Sequence, residues 1–185
     1  MFIETEVTPN PATLKFLPGR RVLGEGGRDF RTAAEAEVSP LARRLFAVPG
    51  VTGVFFGADF VSVTRDGAEW QHLKPAILGA IMEHFMSGAP LLLAESETAA
   101  SERAYSEADA RIVATVKQLL DERVRPAVAG DGGDIVFDRF EDGIVYLHMR
   151  GACSGCPSST ATLRNGVQNL LRHFVPEIRE VRAAS

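Results

Sequence analysis

The chain has 185 residues, 45% of them hydrophobic and 24% charged, with a formal net charge of −4. That is ordinary globular composition with enough apolar material for one or two cores. Neither half is net positive, which argues against a nucleic-acid partner, and no apolar run approaches the roughly 18 residues of a membrane helix, so no membrane partner is expected.

The first residues, Met1-Phe2-Ile3-Glu4-Thr5-Glu6, carry two acids. They suit neither a secretory leader nor a basic transit peptide, and a cytoplasmic protein is expected. Residues 2 to 7 predict a first strand, broken at Thr8-Pro9-Asn10-Pro11. Thr13 to Phe16 alternate as a second strand, closed by Pro18-Gly19. Residues 24 to 37 are glycine-rich and charged, and predict a loop. Ser39-Pro40 is an N-cap followed by proline at the first helical position, and Leu41, Leu45 and Phe46 give that short helix its apolar stripe. Val51 to Phe56 and Phe60 to Thr64 predict a hairpin through Gly57-Ala58-Asp59. Phe55, Phe56 and Phe60 are expected together in the core. Ile77, Leu78, Ile81, Met82 and Phe85 predict a helix over about 74 to 86, stopped at Ser87-Gly88-Ala89-Pro90. Trp70 is expected to pack. His72, Glu83 and His84 lack matching spacing and are expected to be solvated or at the core edge.

From Glu95 the chain turns polar and acidic, without apolar periodicity, which predicts an interdomain linker. Ser106-Glu107-Ala108-Asp109 then opens a helix with a capping pattern. Ile112, Val113, Val116, Leu119, Leu120 and Val124 line that helix, and Pro126 is expected to end it. Gly130-Asp131-Gly132-Gly133-Asp134 predicts a turn; it lacks the lysine of a phosphate-binding loop. Strands are predicted at Ile135 to Phe140 and Ile144 to Met149 around Asp142-Gly143. A helix through Leu163, Val167, Leu170, Leu171 and Phe174, broken at Pro176, and an edge strand at Ile178 to Val181 complete the chain.

Between the last hairpin and the last helix stands Gly151-Ala152-Cys153-Ser154-Gly155-Cys156-Pro157, holding the only two cysteines. Two cysteines three apart in a tight loop can grip one metal. Gly155 lets the backbone fold, Gly151 removes bulk, and Pro157 fits the first position of a helix. That helix start favours thiolate over thiol, and Ser158, Ser159 and Thr160 are possible hydroxyl donors. Zinc or an iron–sulfur cluster wants about four ligands. The chain offers two, and neither His148 nor His173 has the spacing of a third. Two chains, each giving Cys153 and Cys156, would complete the set, and a cluster shared at a surface would leave easily. The competing readings are an inert thiol pair or stray disulfide, a thiol–disulfide oxidoreductase, and a zinc-bridged dimer. A thioredoxin-like site calls for a larger parallel sheet and a later proline, whereas a hairpin precedes this loop and little chain follows its helix.

The GDGGD run at 130–134, followed by a hairpin and GACSGCPSSTATL at 151–163, resembles the C-terminal domain of the NifU and Nfu-type iron–sulfur scaffold proteins. ETEVTPNPATLKFLPG at 4–19, SPLARRLFAVPGVTGVFFGADFVSVT at 39–64 and LKPAILGAIMEHF at 73–85 resemble the Nfu N-terminal domain. The predicted elements and the resemblance together give an α+β protein of two small mixed domains, residues 1–90 and 106–185, and the composition between them gives a flexible acidic linker at 91–105, which the resemblance does not cover. The resemblance implies that Cys153 and Cys156 bind an iron–sulfur cluster, 4Fe–4S in preference to 2Fe–2S, bridging a homodimer. The cluster would come from upstream assembly proteins and pass to apo iron–sulfur clients, so the protein is not expected to be an enzyme. The first domain, without a ligand set, is expected to dock clients. Lacking a transit peptide, the chain is expected in a bacterial cytoplasm.

Overall fold

Alternation along three strands decides the first half. In β2 (Thr13–Leu17) Leu14 and Phe16 share one face, and so do Val54 and Phe56 in β4 (Val51–Phe56) and Val61 and Val63 in β5 (Val61–Arg65). Period-two strands turn these residues to one side of the sheet. They bury against Leu41 and Leu45 of α1 (Pro40–Phe46) and Leu73, Ile77 and Ile81 of α2 (Trp70–Ser87). With β1 (Glu4–Val7) and β3 (Arg28–Phe30) at the edges, the sheet is antiparallel throughout, in the order β1-β2-β5-β4-β3. The computed structural model describes residues 2–24, 27–93, 104–152 and 157–184.

The helix signals worked as capping chemistry predicts. The Ser39 hydroxyl accepts from the Ala42 N–H at 3.2 Å, with Pro40 at the first turn. Two expectations need correction. Residues 24–37 are not only loop: they hold β3 and a 3₁₀ turn at Glu35–Val38. Three residues are too few to show a period, and β3 is fixed by pairing with β4 and by Phe30, fully buried edge-on to Phe56 at 5.1 Å. Helix α2 begins at Trp70, a turn earlier than 74. Pro75 falls inside it and removes the donor that would meet the carbonyl of exposed Gln71. The Trp70 indole N–H donates to the Pro11 carbonyl at 3.3 Å and anchors that early turn.

In the second half, Ser106 caps α3 (Glu107–Leu119) by accepting from the Asp109 N–H at 3.2 Å. Pro126 does not end this rod. A π turn at Leu120–Val124 widens the helix just ahead of the proline, and α4 (Arg125–Gly130) continues beyond it. Strands β6 (Gly133–Glu141) and β7 (Ile144–Gly151) form a hairpin longer than expected. Its turn has Asp142 at φ 50° and Gly143 at φ 78°, the two left-handed residues of a type I′ turn. After α5 (Pro157–Phe174) comes β8 (Glu180–Ala183), which pairs parallel with β7 and starts two residues later than predicted. Ile135, Val145, Leu147, Val167, Leu171 and Val181 make a second core with Val116 and Leu120. The protein is therefore α+β with two separate cores. Residues 94–103 of the expected linker lie outside the described residues. Leu91 and Leu92 pack on the first core and Tyr105 on the second. Among the described residues no helix is long and apolar enough to cross a membrane.

The expected Phe55–Phe56–Phe60 core cluster divides. Phe56 lies in the first core, but Phe55 and Phe60 are outside it although only 2% and 3% exposed. Adjacent residues of a strand cannot share a face, so Phe55 points to the outer face of the sheet, with its ring 5.9 Å from that of Phe60. Lys15 stands over the Phe60 ring at 4.9 Å on the same face. The second half of the chain covers this face.

Two predictions follow from buried polar groups. His84 is 1% exposed, and its Nδ1 has no hydrogen-bond partner among the described residues. Desolvation, reinforced by the Arg44 charge, holds its pKa below the usual 6.5. The unfolded chain therefore takes up a proton that the fold resists. The neutral form sustains full stability above about pH 6.5, and stability is lost as pH falls below that value. Melting midpoints of wild type and His84→Gln, compared by circular dichroism from pH 7.5 to 5, should show the steeper decline in wild type; parallel curves would refute this. Asp134, 6% exposed, receives a two-pronged grip from Arg125, Nε to Oδ1 at 2.9 Å and Nη2 to Oδ2 at 3.1 Å. Arg125, which also holds Asp121 at 3.0 Å, has its pKa raised chiefly by the Asp134 hydrogen bond. Arg125→Met should cost about 2–3 kcal/mol in a denaturant titration, and Arg125→Met with Asp134→Asn should recover part of it.

Candidate functional site

Cys153 and Cys156 lie outside the described residues, and so do Ser154 and Gly155 between them. What is described is the frame that presents them. Strand β7 leads in and ends at Gly151, while α5 begins at Pro157, directly after Cys156. The first N–H groups of an 18-residue helix have no acceptor within the helix, and its dipole favours negative charge at that end. Arg172 and His173 sit in its last turn, where cations are favoured. His173 is ~24 Å along the helix from its start, too far to join the cysteines. His148 is engaged at 3.0 Å by Asp138.

The way into the loop is built from backbone. Gly133 and Gly151 are register partners at the open end of the β6–β7 hairpin. Gly151 has φ +64°, and a Cβ there would stand 2.8 Å from the Gly132 carbonyl oxygen and 3.0 Å from Phe55 Cγ. This glycine was expected to clear space for a cluster. The space it leaves is taken by protein: the turn behind it and an aromatic ring of the first domain. Ala152, the residue before Cys153, is 3% exposed and donates its N–H to the Gly132 carbonyl at 3.3 Å.

That carbonyl has a second donor. The Ser62 hydroxyl, on the outer face of β5, reaches it at 2.7 Å. Asn10 reaches the loop root too, its Nδ2 donating to the Ala152 carbonyl at 3.4 Å, while its Oδ1 accepts from the Ala12 N–H at 3.0 Å. Arg150 returns the contact, Nη1 to the Gly27 carbonyl at 2.9 Å. Neither Ser62 nor Asn10 carries a sequence signal for this role. A serine between two valines reads as the outward residue of a half-buried strand, and Asn10 between prolines reads as a turn.

Residues 3–88 match a family model described as the scaffold protein Nfu/NifU N-terminal domain, and residues 116–182 match the NifU-like domain. Three curated relatives align over nearly the whole chain. A human protein named as a mitochondrial NFU1 iron-sulfur cluster scaffold homolog is 51% identical over 98% of this chain and 71% of its own length. A Drosophila ananassae protein of the same name is 51% identical over 98% of this chain and 63% of its own length. An Arabidopsis thaliana protein, mitochondrial NifU-like protein 4, is 50% identical over 98% of this chain and 65% of its own length. The chain thus spans somewhat less than two thirds of the fly and plant proteins. These names overturn the expectation of a bacterial cytoplasm, since the similar proteins are called mitochondrial. The opening acids on which that expectation stood, Glu4 and Glu6, lie in β1. With both domain models matched in order, and half its residues shared with a relative it covers over 71% of that relative's length, the chain belongs to the Nfu/NifU-like scaffold protein family.

Proposed function

We propose that this protein is an iron–sulfur cluster scaffold and carrier. Cys153 and Cys156 from each of two copies supply four thiolates to one bridging cluster, 4Fe–4S in preference to 2Fe–2S. The observation that carries this reading is a cysteine pair set between a clamped strand end and a helix start, in a chain with no other cysteine. The names of the similar proteins support it. The working domains are residues 1–90 and 106–185 with a connecting stretch at 91–105. The first domain also receives clients.

The chemistry is ligand exchange. The helix start at Pro157 stabilises negative charge on sulfur, so both cysteines bind iron as thiolates. An acceptor thiol loses its proton and forms an Fe–S bond as a scaffold thiolate leaves and is protonated. One bond forms for each that breaks, and nothing is oxidised or reduced. Two ligands per copy mean that parting the copies already halves the coordination, which suits cargo meant to move on. The protein receives the cluster from upstream assembly proteins and gives it to apo iron–sulfur proteins. It is emptied and reloaded one cluster at a time, and acts as a carrier and not as an enzyme.

Anaerobic reconstitution with iron and sulfide tests this directly. A broad absorbance towards the blue, a doubling of mass and about four irons per two chains are expected, with all three lost in Cys153→Ser and in Cys156→Ser. A colourless monomer that reduces disulfides would replace this reading with an oxidoreductase, and a colourless dimer holding zinc would make the metal a purely structural bridge.

A further inference from the structure

We propose that Ser62 and Asn10 of the first domain are positioning residues for the cysteine loop of the second, a step that rests on the scaffold reading above. The two side chains meet the loop root at its two fixed points. Ser62 donates to the Gly132 carbonyl at 2.7 Å, the same oxygen that accepts the Ala152 N–H at 3.3 Å. Asn10 donates to the carbonyl of Ala152 itself at 3.4 Å. Ala152 is thus held at both its N–H and its C=O, and Cys153 is the next residue.

Four observations separate this from incidental packing. Ser62 is 1% exposed and Asn10 is 5% exposed, so both polar groups have given up water and depend on these partners. The approach is built for backbone: Gly132 has φ +81°, and a Cβ on it would lie 2.9 Å from Thr8 Cγ2 and 3.1 Å from Ser62 Oγ. Asn10 is itself braced, its Oδ1 accepting from the Ala12 N–H at 3.0 Å, so its amide is presented in one orientation. Phe55, with its ring against Gly151, seals the contact from solvent.

The first domain therefore sets how freely the chain just before Cys153 can move. Docking of the first domain and the fixing of Ala152 are linked: each stabilises the other by the same free energy. Loss of one anchor should free Ala152 more often in the cluster-free chain, so that its neighbour Cys153 reacts faster, and should let the cluster leave faster when it is loaded.

The test uses the full-length chain carrying Ser62→Ala or Asn10→Ala. Alkylation of Cys153 by iodoacetamide in the cluster-free protein is the first readout, followed by mass spectrometry. It should speed up about fivefold for Ser62→Ala, the factor one ordinary hydrogen bond is worth, and by less for the longer Asn10 contact. Transfer of iron from the reconstituted protein to a ferrous chelator should speed up in the same order. The melting midpoint of the first domain should stay where it is in Ser62→Ala, and Ser62→Thr, which keeps the hydroxyl, should return both rates towards wild type. Wild-type alkylation rates in both alanine variants would overturn the proposal. Failure of the wild-type chain to take up any cluster would refute the scaffold reading instead, and the alkylation arm would still decide whether Ser62 and Asn10 position the loop.

Discussion

One carbonyl oxygen, that of Gly132, is shared by the two halves of this protein. It takes the Ala152 N–H from its own domain and the Ser62 hydroxyl from the other. A carbonyl has two lone pairs, and here each is used by a different body. Such an arrangement needs backbone at close range on one side and a short polar side chain on the other. The glycines at 132, 133 and 151 provide the first, and a serine on the outer face of β5 provides the second. Much else in the contact follows from that approach. Phe55 can bury against Gly151 because no Cβ stands there. Asp134 sits low beside the turn, where its charge is tolerable because Arg125 grips it with two nitrogens.

The elements were mostly legible in the sequence because they are amphipathic and capped. Ser39-Pro40, Ser106 and Asp142-Gly143 each announce a boundary by local chemistry, and each boundary lies where that chemistry puts it. The misses are of two physical kinds. A proline at 126 reads as a stop, but a π turn lets a helix pass a proline when apolar residues on both sides, such as Leu120 and Val128, still reach one core. Strand β3 was missed because it is only three residues long and is held by its neighbour, not by its own pattern.

The candidate site was legible in its chemistry and illegible in its support. Cysteine spacing, a following proline and a count of ligands are local facts. The support comes from Asn10 and Ser62, 142 and 70 residues away from their acceptors, and no periodicity encodes such a pairing. The phenylalanines give the clearest lesson. Phe55 and Phe56 are adjacent in a strand, so only one of them could belong to the first core. That constraint was available from the sequence, and it marks the outer face of the sheet as a surface with a partner.

The parallel pairing of β8 with β7 has a consequence for biosynthesis. Every strand of the first sheet has been made by Arg65, and its residues lie close together in sequence. The second sheet closes only when residues 180–183 arrive, after the whole of α5 has crossed over. As the chain leaves the ribosome, the first domain can fold while the second waits for its last strand. The surface bearing Asn10, Phe55 and Ser62 is then in place before the hairpin that leads to the cysteines is locked, so the older part of the nascent chain can serve as a template for the younger.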